Sequence, residues 1–66
     1  MKVVKSYQGG ATIEFSDDEL YMLNNALNEV CNALSIPEFS TRMGAERKDA
    51  SDLLEQINQL LTVKEM

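Results

Sequence analysis

The stretch Tyr7-Gln8-Gly9-Gly10-Ala11-Thr12-Ile13-Glu14-Phe15-Ser16-Asp17-Asp18-Glu19-Leu20 contains the turn of a β-hairpin and the beginning of a helix. Residues 3–7 before the glycines and residues 12–15 after them are rich in side chains that favour β-structure. Two adjacent glycines suit a two-residue primed turn, because both positions adopt positive φ without a Cβ clash. This stretch therefore predicts an antiparallel hairpin that leads directly into a helix.

A Gly9-Gly10 loop also predicts the register of that hairpin. The predicted pairs are Gln8 with Ala11, Tyr7 with Thr12, Ser6 with Ile13, Lys5 with Glu14, and Val4 with Phe15. One face then collects Val4, Ile13 and Phe15, and the other face carries the opposite-charge pair Lys5–Glu14. Two helices can cover one face of the hairpin, but its outer edges stay open. A partner chain could add its own hairpin and form a four-stranded sheet, or it could instead bury the remaining apolar positions of the helices.

Ser16 marks the beginning of a long helix. Ser16 and Glu19 have the capping-box spacing, and Asp17 and Asp18 add negative charge where the helix dipole favours it. Apolar residues then recur at three- and four-residue steps, and polar residues fill the opposite side. The apolar positions are Leu20, Leu23, Leu27, Val30 or Cys31, and Leu34, and the polar ones are Asn24, Asn25, Asn28, Glu29 and Asn32. This pattern predicts an amphipathic helix of about 18 residues.

The second half of the chain predicts two further helices. Pro37 ends the long helix and opens a short one over residues 38–43, which Gly44 closes in a left-handed conformation. The apolar spacing then predicts a last helix from about Glu46 to Leu61, and we expect residues 62–66 to fray. The fold class is α+β. An N-terminal two-stranded antiparallel hairpin is followed by a long helix, a short helix and a C-terminal helix (ββααα), and residues 1–66 form a single small domain.

The length of the chain limits its core. A domain of 66 residues buries only about 60% of the surface that its unfolded chain exposes, and proteins of this size usually add disulfides, a metal or a partner subunit. The chain has one cysteine, Cys31, and no histidine, so an intrachain disulfide and a common zinc site are excluded. We therefore expect a homodimer or higher homo-oligomer, without a cofactor or metal.

Charge and composition disfavour several classes of function. The net charge is −5, and no Lys or Arg lies between Ser6 and Thr41, so phosphate backbones repel most of the chain and nucleic-acid binding is disfavoured. Apolar runs are too short to span a membrane. One free thiol and no export signal indicate the cytoplasm. Cys31 has no histidine to activate it and no base on its own helix, which argues against an enzyme.

Polar residues on two segments are candidates for contacting a partner. They are Asn24, Asn28, Asn32, Thr41, Arg42 and Arg47. Asparagine is a mediocre helix former, so a row of them at four-residue spacing suggests a hydrogen-bonding face, although a plain solvated face is the alternative. Arg42, beside the Gly44 turn, is either an anchor for a partner or a partner of Glu38 or Glu46 in a surface ion pair.

Two segments of the chain resemble a known group of proteins. Residues 24–32 (Asn-Asn-Ala-Leu-Asn-Glu-Val-Cys-Asn) and residues 37–44 (Pro-Glu-Phe-Ser-Thr-Arg-Met-Gly) are similar to a functionally uncharacterised group of small bacterial proteins. That group has an NALNEV helix and an EF-x-TR-x-G turn. The resemblance covers most of the chain and implies a single domain in a bacterial cytoplasm. It implies no site residue.

Three hypotheses for function follow from the sequence. The first is a small non-catalytic module that acts through protein–protein contacts as a homo-oligomer. The second is a helix-turn-helix-like nucleic-acid binder that uses residues 37–61, with Arg42, Arg47 and Lys48 toward phosphate. The third is an inhibitor or immunity-type protein with an acidic binding surface, and another protein is then the partner.

Overall fold

A computed structural model of the chain describes residues 1–33 and 35–64, and it has the predicted ββααα order. The hairpin consists of β1 (Lys2–Tyr7) and β2 (Gly10–Glu14). The helices are α1 (Asp17–Asn28), α2 (Phe39–Met43) and α3 (Arg47–Lys64). A π-helical turn, Glu29–Ala33, extends α1. The long predicted helix is thus confirmed as α1 plus the π turn, and its last position, Leu34, lies outside the described residues.

The register of the hairpin differs from the prediction. The turn residues are Gln8 and Gly9, so Tyr7 pairs with Gly10, and only Gly9 has a positive φ, of 92°. The observed pairs are Lys2–Glu14, Val3–Ile13, Lys5–Thr12, Ser6–Ala11 and Tyr7–Gly10, with a β-bulge between Val3 and Lys5. The predicted pairs, including Lys5–Glu14, are therefore wrong. Gly10 belongs to β2, where it pairs with Tyr7. A Cβ at Gly10 would lie 3.1 Å from Cε2 of the Tyr7 ring, so the missing side chain makes room for that ring.

The capping box at the start of α1 is confirmed, and it has an additional partner. The Ser16 hydroxyl accepts from the Glu19 amide at 3.2 Å, and the Ser16 amide donates to Glu19 Oε1 at 2.9 Å. The amino group of Met1 lies 2.7 and 2.6 Å from the two carboxylate oxygens of Glu19. The hydrogen bond from that amino group, followed by the one from the Ser16 backbone, lowers the pKa of Glu19 from 4.5 to about 2.

We expect Glu19 to make the stability of the protein depend on pH in acid. The pKa is lower in the folded chain than in the unfolded one, so the stabilisation is complete above about pH 4.5 and is lost as the pH falls toward about 2. Urea unfolding across this window should therefore show a flatter pH profile for Glu19→Gln than for the wild type. Glutamine keeps the hydrogen-bond acceptor of the capping box and removes only the titrating charge. A difference between the two pH profiles therefore reports the charge and not the loss of the cap. Parallel profiles in the two proteins would contradict the assignment.

The helices α1 and α3 form an antiparallel pair that contains most of the core. Lys64 Nζ at the end of α3 lies 3.0 Å from Asp17 Oδ1 at the start of α1. Leu20 of α1 and Ala50, Leu54 and Leu61 of α3 are buried. The prediction that the tail frays is wrong for residues 62–64, which are helical, because the buried Leu61 and the Lys64–Asp17 pair hold the last turn of α3. Residues 65 and 66 of that tail lie outside the described residues.

The short helix α2 begins one residue later than predicted. Pro37 and Glu38 form a turn, and Glu38 adopts a left-handed conformation with φ 54° and ψ 45°. This conformation is uncommon for a residue with a side chain. Gly44 has φ 72°, and its amide donates to the Ser40 carbonyl at 2.9 Å, so the predicted C-terminal cap is confirmed. Phe39, at the start of α2, supplies the fifth buried hydrophobic residue.

The hairpin extends away from the helices instead of lying under them. Every residue of both strands is exposed, and the chain measures 34 × 34 × 16 Å. The possibility that two helices cover one face of the hairpin is therefore not realised. The buried residues of α1 and α3 pack between these two helices, and no strand residue is buried against them.

Candidate interaction surface

The asparagine row does not form one continuous face. Asn28 and Asn32 are exposed, and Asn32 Nδ2 donates to Asn28 Oδ1 at 2.8 Å. Asn24 is half-buried instead, and its Oδ1 is buried without a hydrogen-bond partner among the described residues. The prediction that Asn24 lies on the solvent side of the helix is wrong, because the inward stripe of α1 runs through Leu20, Asn24 and Leu27.

Arg42 and Thr41 are exposed on the surface of α2. Among residues 1–33 and 35–64, Arg42 forms no ion pair, so the pairing with Glu38 or Glu46 that the sequence suggested is absent there. Arg42 lies on a short helix that is bounded at each end by a residue in the left-handed conformation, Glu38 and Gly44. A left-handed backbone conformation at a residue with a side chain, such as Glu38, costs of order 1–3 kcal/mol.

Arg47 makes internal contacts with two other segments. Its Nη1 donates to the carbonyl of Cys31 in the π-helical turn at 3.0 Å, and its guanidinium carbon lies 4.4 Å from the centroid of the Phe39 ring. Arg47 therefore joins the end of α1, the beginning of α2 and the beginning of α3. These contacts engage the guanidinium group within the fold.

Lys48, the other base at the start of α3, is also paired. Its Nζ lies 2.9 Å from Asp52 Oδ2, one turn along the helix, and this contact raises the pKa of Lys48. Two of the three bases that a helix-turn-helix-like binder would direct toward phosphate are thus engaged by neighbouring groups, and Arg42 is the third.

A feature that the sequence pattern did not locate is the exposure of apolar side chains on the hairpin. Val3 and Val4 are 55% and 53% exposed. Tyr7, Ile13 and Phe15 are also exposed. In the predicted register Val4, Ile13 and Phe15 shared one face of the hairpin. A helix packed on that face would have buried them, so the sequence pattern did not indicate their exposure.

A second exposed apolar strip lies on the helices. Leu53 and Leu60 of α3 are exposed, and each precedes a buried leucine by one residue, or about 100° around the helix. Leu23 on α1 is exposed as well. The seven-residue spacing of Leu53 and Leu60 is visible in the sequence as part of the apolar spacing that predicts the last helix.

The described part of the chain has no feature that indicates a small-molecule or metal site. Its surface forms no pocket, and its Cys, Asp and Glu side chains form no group that would hold a metal ion. Among residues 1–33 and 35–64, no helix combines the length and apolar character that crossing a membrane requires.

No family model matches the chain. No curated protein and no solved structure is similar to it at a significant level.

Proposed function

We propose that this protein is a non-catalytic protein–protein interaction module that acts as a homo-oligomer, with a dimer as its basic unit. The observation that carries this proposal is the amount of surface the single chain exposes. Its accessible area is 5217 Å², whereas a compact monomer of 7.4 kDa exposes about 4,200 Å². The excess of about 1,000 Å² is close to the roughly 800 Å² that each partner buries in a standard interface.

The dimensions of the chain support the same proposal. Its radius of gyration is 13.3 Å, compared with about 11 Å for a compact domain of this length. An isolated two-stranded hairpin is marginally stable in water, and here the helices provide little cover for it. A second copy offers the hairpin additional strands or an apolar surface to pack on, and either of these stabilises it.

The composition of the exposed surface also favours association. Large apolar side chains are exposed on the hairpin and along α3, and monomeric proteins rarely leave large contiguous patches of this kind open to water. The chain has no histidine, and no base lies on the helix that carries Cys31, so we assign it no catalytic role. Within this proposal, Thr41 and Arg42 remain candidates for contacting a different protein.

Light scattering coupled to size-exclusion chromatography tests this proposal. We expect a molar mass of twice 7.4 kDa at tens of micromolar, with a decrease toward the monomer mass on dilution. A folded chain that keeps the monomer mass up to about millimolar concentration would contradict the proposal, because an interface of standard size gives much tighter association.

A further inference from the structure

We propose that two copies pair along the outer edge of β2, antiparallel across a two-fold axis, and form a four-stranded sheet of order β1-β2-β2-β1. This inference rests on the proposed homo-oligomer and names its contact surface. The partner is therefore a second copy of this chain, and the bonds that join the copies are backbone hydrogen bonds.

The two edges of the hairpin differ in how well they resist pairing. β1 contains the bulge between Val3 and Lys5 in its pairing with β2, and this strand carries Lys2 and Lys5. Bulges and lysines are the devices by which natural sheets prevent edge-to-edge association. β2 (Gly10–Glu14) has neither a lysine nor a proline. The edge of β2 is thus the one that is open to another strand.

The observed register shows which backbone groups of β2 are available. Tyr7 and Gly10 close a two-residue turn, so they form a hydrogen-bonded pair, and hydrogen-bonded and non-hydrogen-bonded pairs alternate from there. The amide and carbonyl of Thr12 are consequently directed toward β1, and those of Ala11 and Ile13 point away from it. Within residues 1–33 and 35–64, no hydrogen bond outside the β1–β2 ladder engages the backbone of Ala11 or Ile13.

With a two-fold axis at Thr12, the outward amides and carbonyls of Ala11 and Ile13 all form hydrogen bonds with the second copy. Ala11 then faces Ile13 of the second copy, and the reverse pair follows by symmetry, which gives four hydrogen bonds between the copies. Thr12 faces Thr12 of the second copy, a cross-strand pair that is favourable in sheets. Glu14 faces Gly10 of the second copy, so the two glutamates are not opposed.

Charge favours the hairpin over the helices as the contact between copies. Residues 1–15 contain Lys2, Lys5 and Glu14 and carry a small positive net charge, although the whole chain has a net charge of −5. The helical part is therefore strongly acidic, and association through it would bring like charges together. Pairing through β2 keeps the acidic helices at the outer ends of the assembly.

Proline substitutions on the two edges test the assignment. Ala11 and Ser6 face each other across the hairpin, and both amides point outward, so Ala11→Pro and Ser6→Pro remove no ladder hydrogen bond. We expect Ala11→Pro to weaken dimerisation at least about tenfold, because it removes two of the four hydrogen bonds between the copies and places its ring in the interface. Ser6→Pro should leave the dissociation constant within about twofold, since it alters the other edge. Circular dichroism establishes that each variant is folded.

Cysteine crosslinking tests the register without relying on proline. In a Cys31→Ser background, Thr12→Cys places two thiols opposite each other across the two-fold axis, within the distance that a disulfide requires. Lys5→Cys is the control, because three strand spacings, about 14 Å, separate the two copies of that position. We expect mild oxidation to convert Thr12→Cys to a covalent dimer and to leave Lys5→Cys without a disulfide. Denaturing electrophoresis without reducing agent distinguishes the two products.

The outcomes separate this inference from the proposed function. A dimer that persists in Ala11→Pro, or that crosslinks no faster through Thr12→Cys than through Lys5→Cys, overturns the β2 assignment and leaves the homo-oligomer intact. The Leu53–Leu60 strip is then the alternative contact. A monomeric wild-type chain overturns both proposals. Selective weakening by Ala11→Pro together with selective crosslinking through Thr12→Cys supports both.

Discussion

Replacing Leu54 with alanine is expected to leave most of the chain unfolded at room temperature. Leu54 is 6% exposed and is one of the five buried hydrophobic residues among those described. Truncating a buried leucine to alanine costs about 2–5 kcal/mol, and a core this small rarely supplies more than about 3–5 kcal/mol in total. One substitution therefore removes most of the available stability. Urea unfolding followed by circular dichroism, at a fixed protein concentration because dimerisation contributes to stability, measures the effect.

The neighbouring residue provides a matched control. Leu53→Ala is the same chemical change on the same helix, but Leu53 is 49% exposed and does not fill the core between α1 and α3. We expect Leu53→Ala to cost less than about 1 kcal/mol. If both variants unfolded at the same urea concentration, the helix pair would not be oriented as described. If Leu53→Ala alone dissociated the dimer, the strip on α3 would be the contact between copies.

The hairpin shows where sequence pattern is sufficient and where it is not. The presence of two strands around a glycine pair was predictable, because β-favouring residues flank a strong turn signal. The register was not, because Gly9-Gly10 allows either both glycines or only Gly9 in the turn. In the structure Gly10 pairs with Tyr7, whose ring lies against it, and only Gly9 stays in the turn. This shift, together with the bulge, changes which residues face each other.

The long helix shows a similar limit. Its start was predictable from Ser16 and Glu19, since a capping box is a local interaction. Its inward face was assigned by hydrophobicity, which placed Leu23 inside and Asn24 outside, and the structure has the reverse order of burial. The orientation of a helix about its axis depends on where its neighbour packs, and the position of α3 is not encoded in the pattern of α1 alone. The candidate site suffers from the same limit, because only Asn28 and Asn32 of the predicted row remain together.

The junction of α1, α2 and α3 could not be inferred from local pattern, because its parts are distant in sequence. Phe39 was known only as part of a turn motif, and Arg47 was a candidate for contacting a partner. In the structure Phe39 is buried, Arg47 stacks on its ring, and the same guanidinium donates to the Cys31 carbonyl. A cation over an aromatic face contributes about 0.5–1 kcal/mol at exposed sites. The buried ring itself contributes more, so Phe39 is the residue on which this junction depends.

We expect Phe39→Ala to destabilise the protein by about 3–5 kcal/mol, because it leaves a cavity under α2 and removes the surface on which Arg47 stacks. Phe39→Leu should recover most of this loss, since it keeps apolar volume and gives up only the aromatic face. Met43→Ala is the matched control on the same short helix, where the side chain is exposed, and its expected cost is below about 1 kcal/mol. Circular dichroism without urea shows how much of Phe39→Ala remains folded, and urea unfolding gives the free-energy losses of Phe39→Leu and Met43→Ala. Hydrogen exchange of residues 39–44 in the wild type reports whether α2 detaches first. Equal small losses in Phe39→Ala and Met43→Ala would show that α2 packs on the helix pair without the Phe39 anchor.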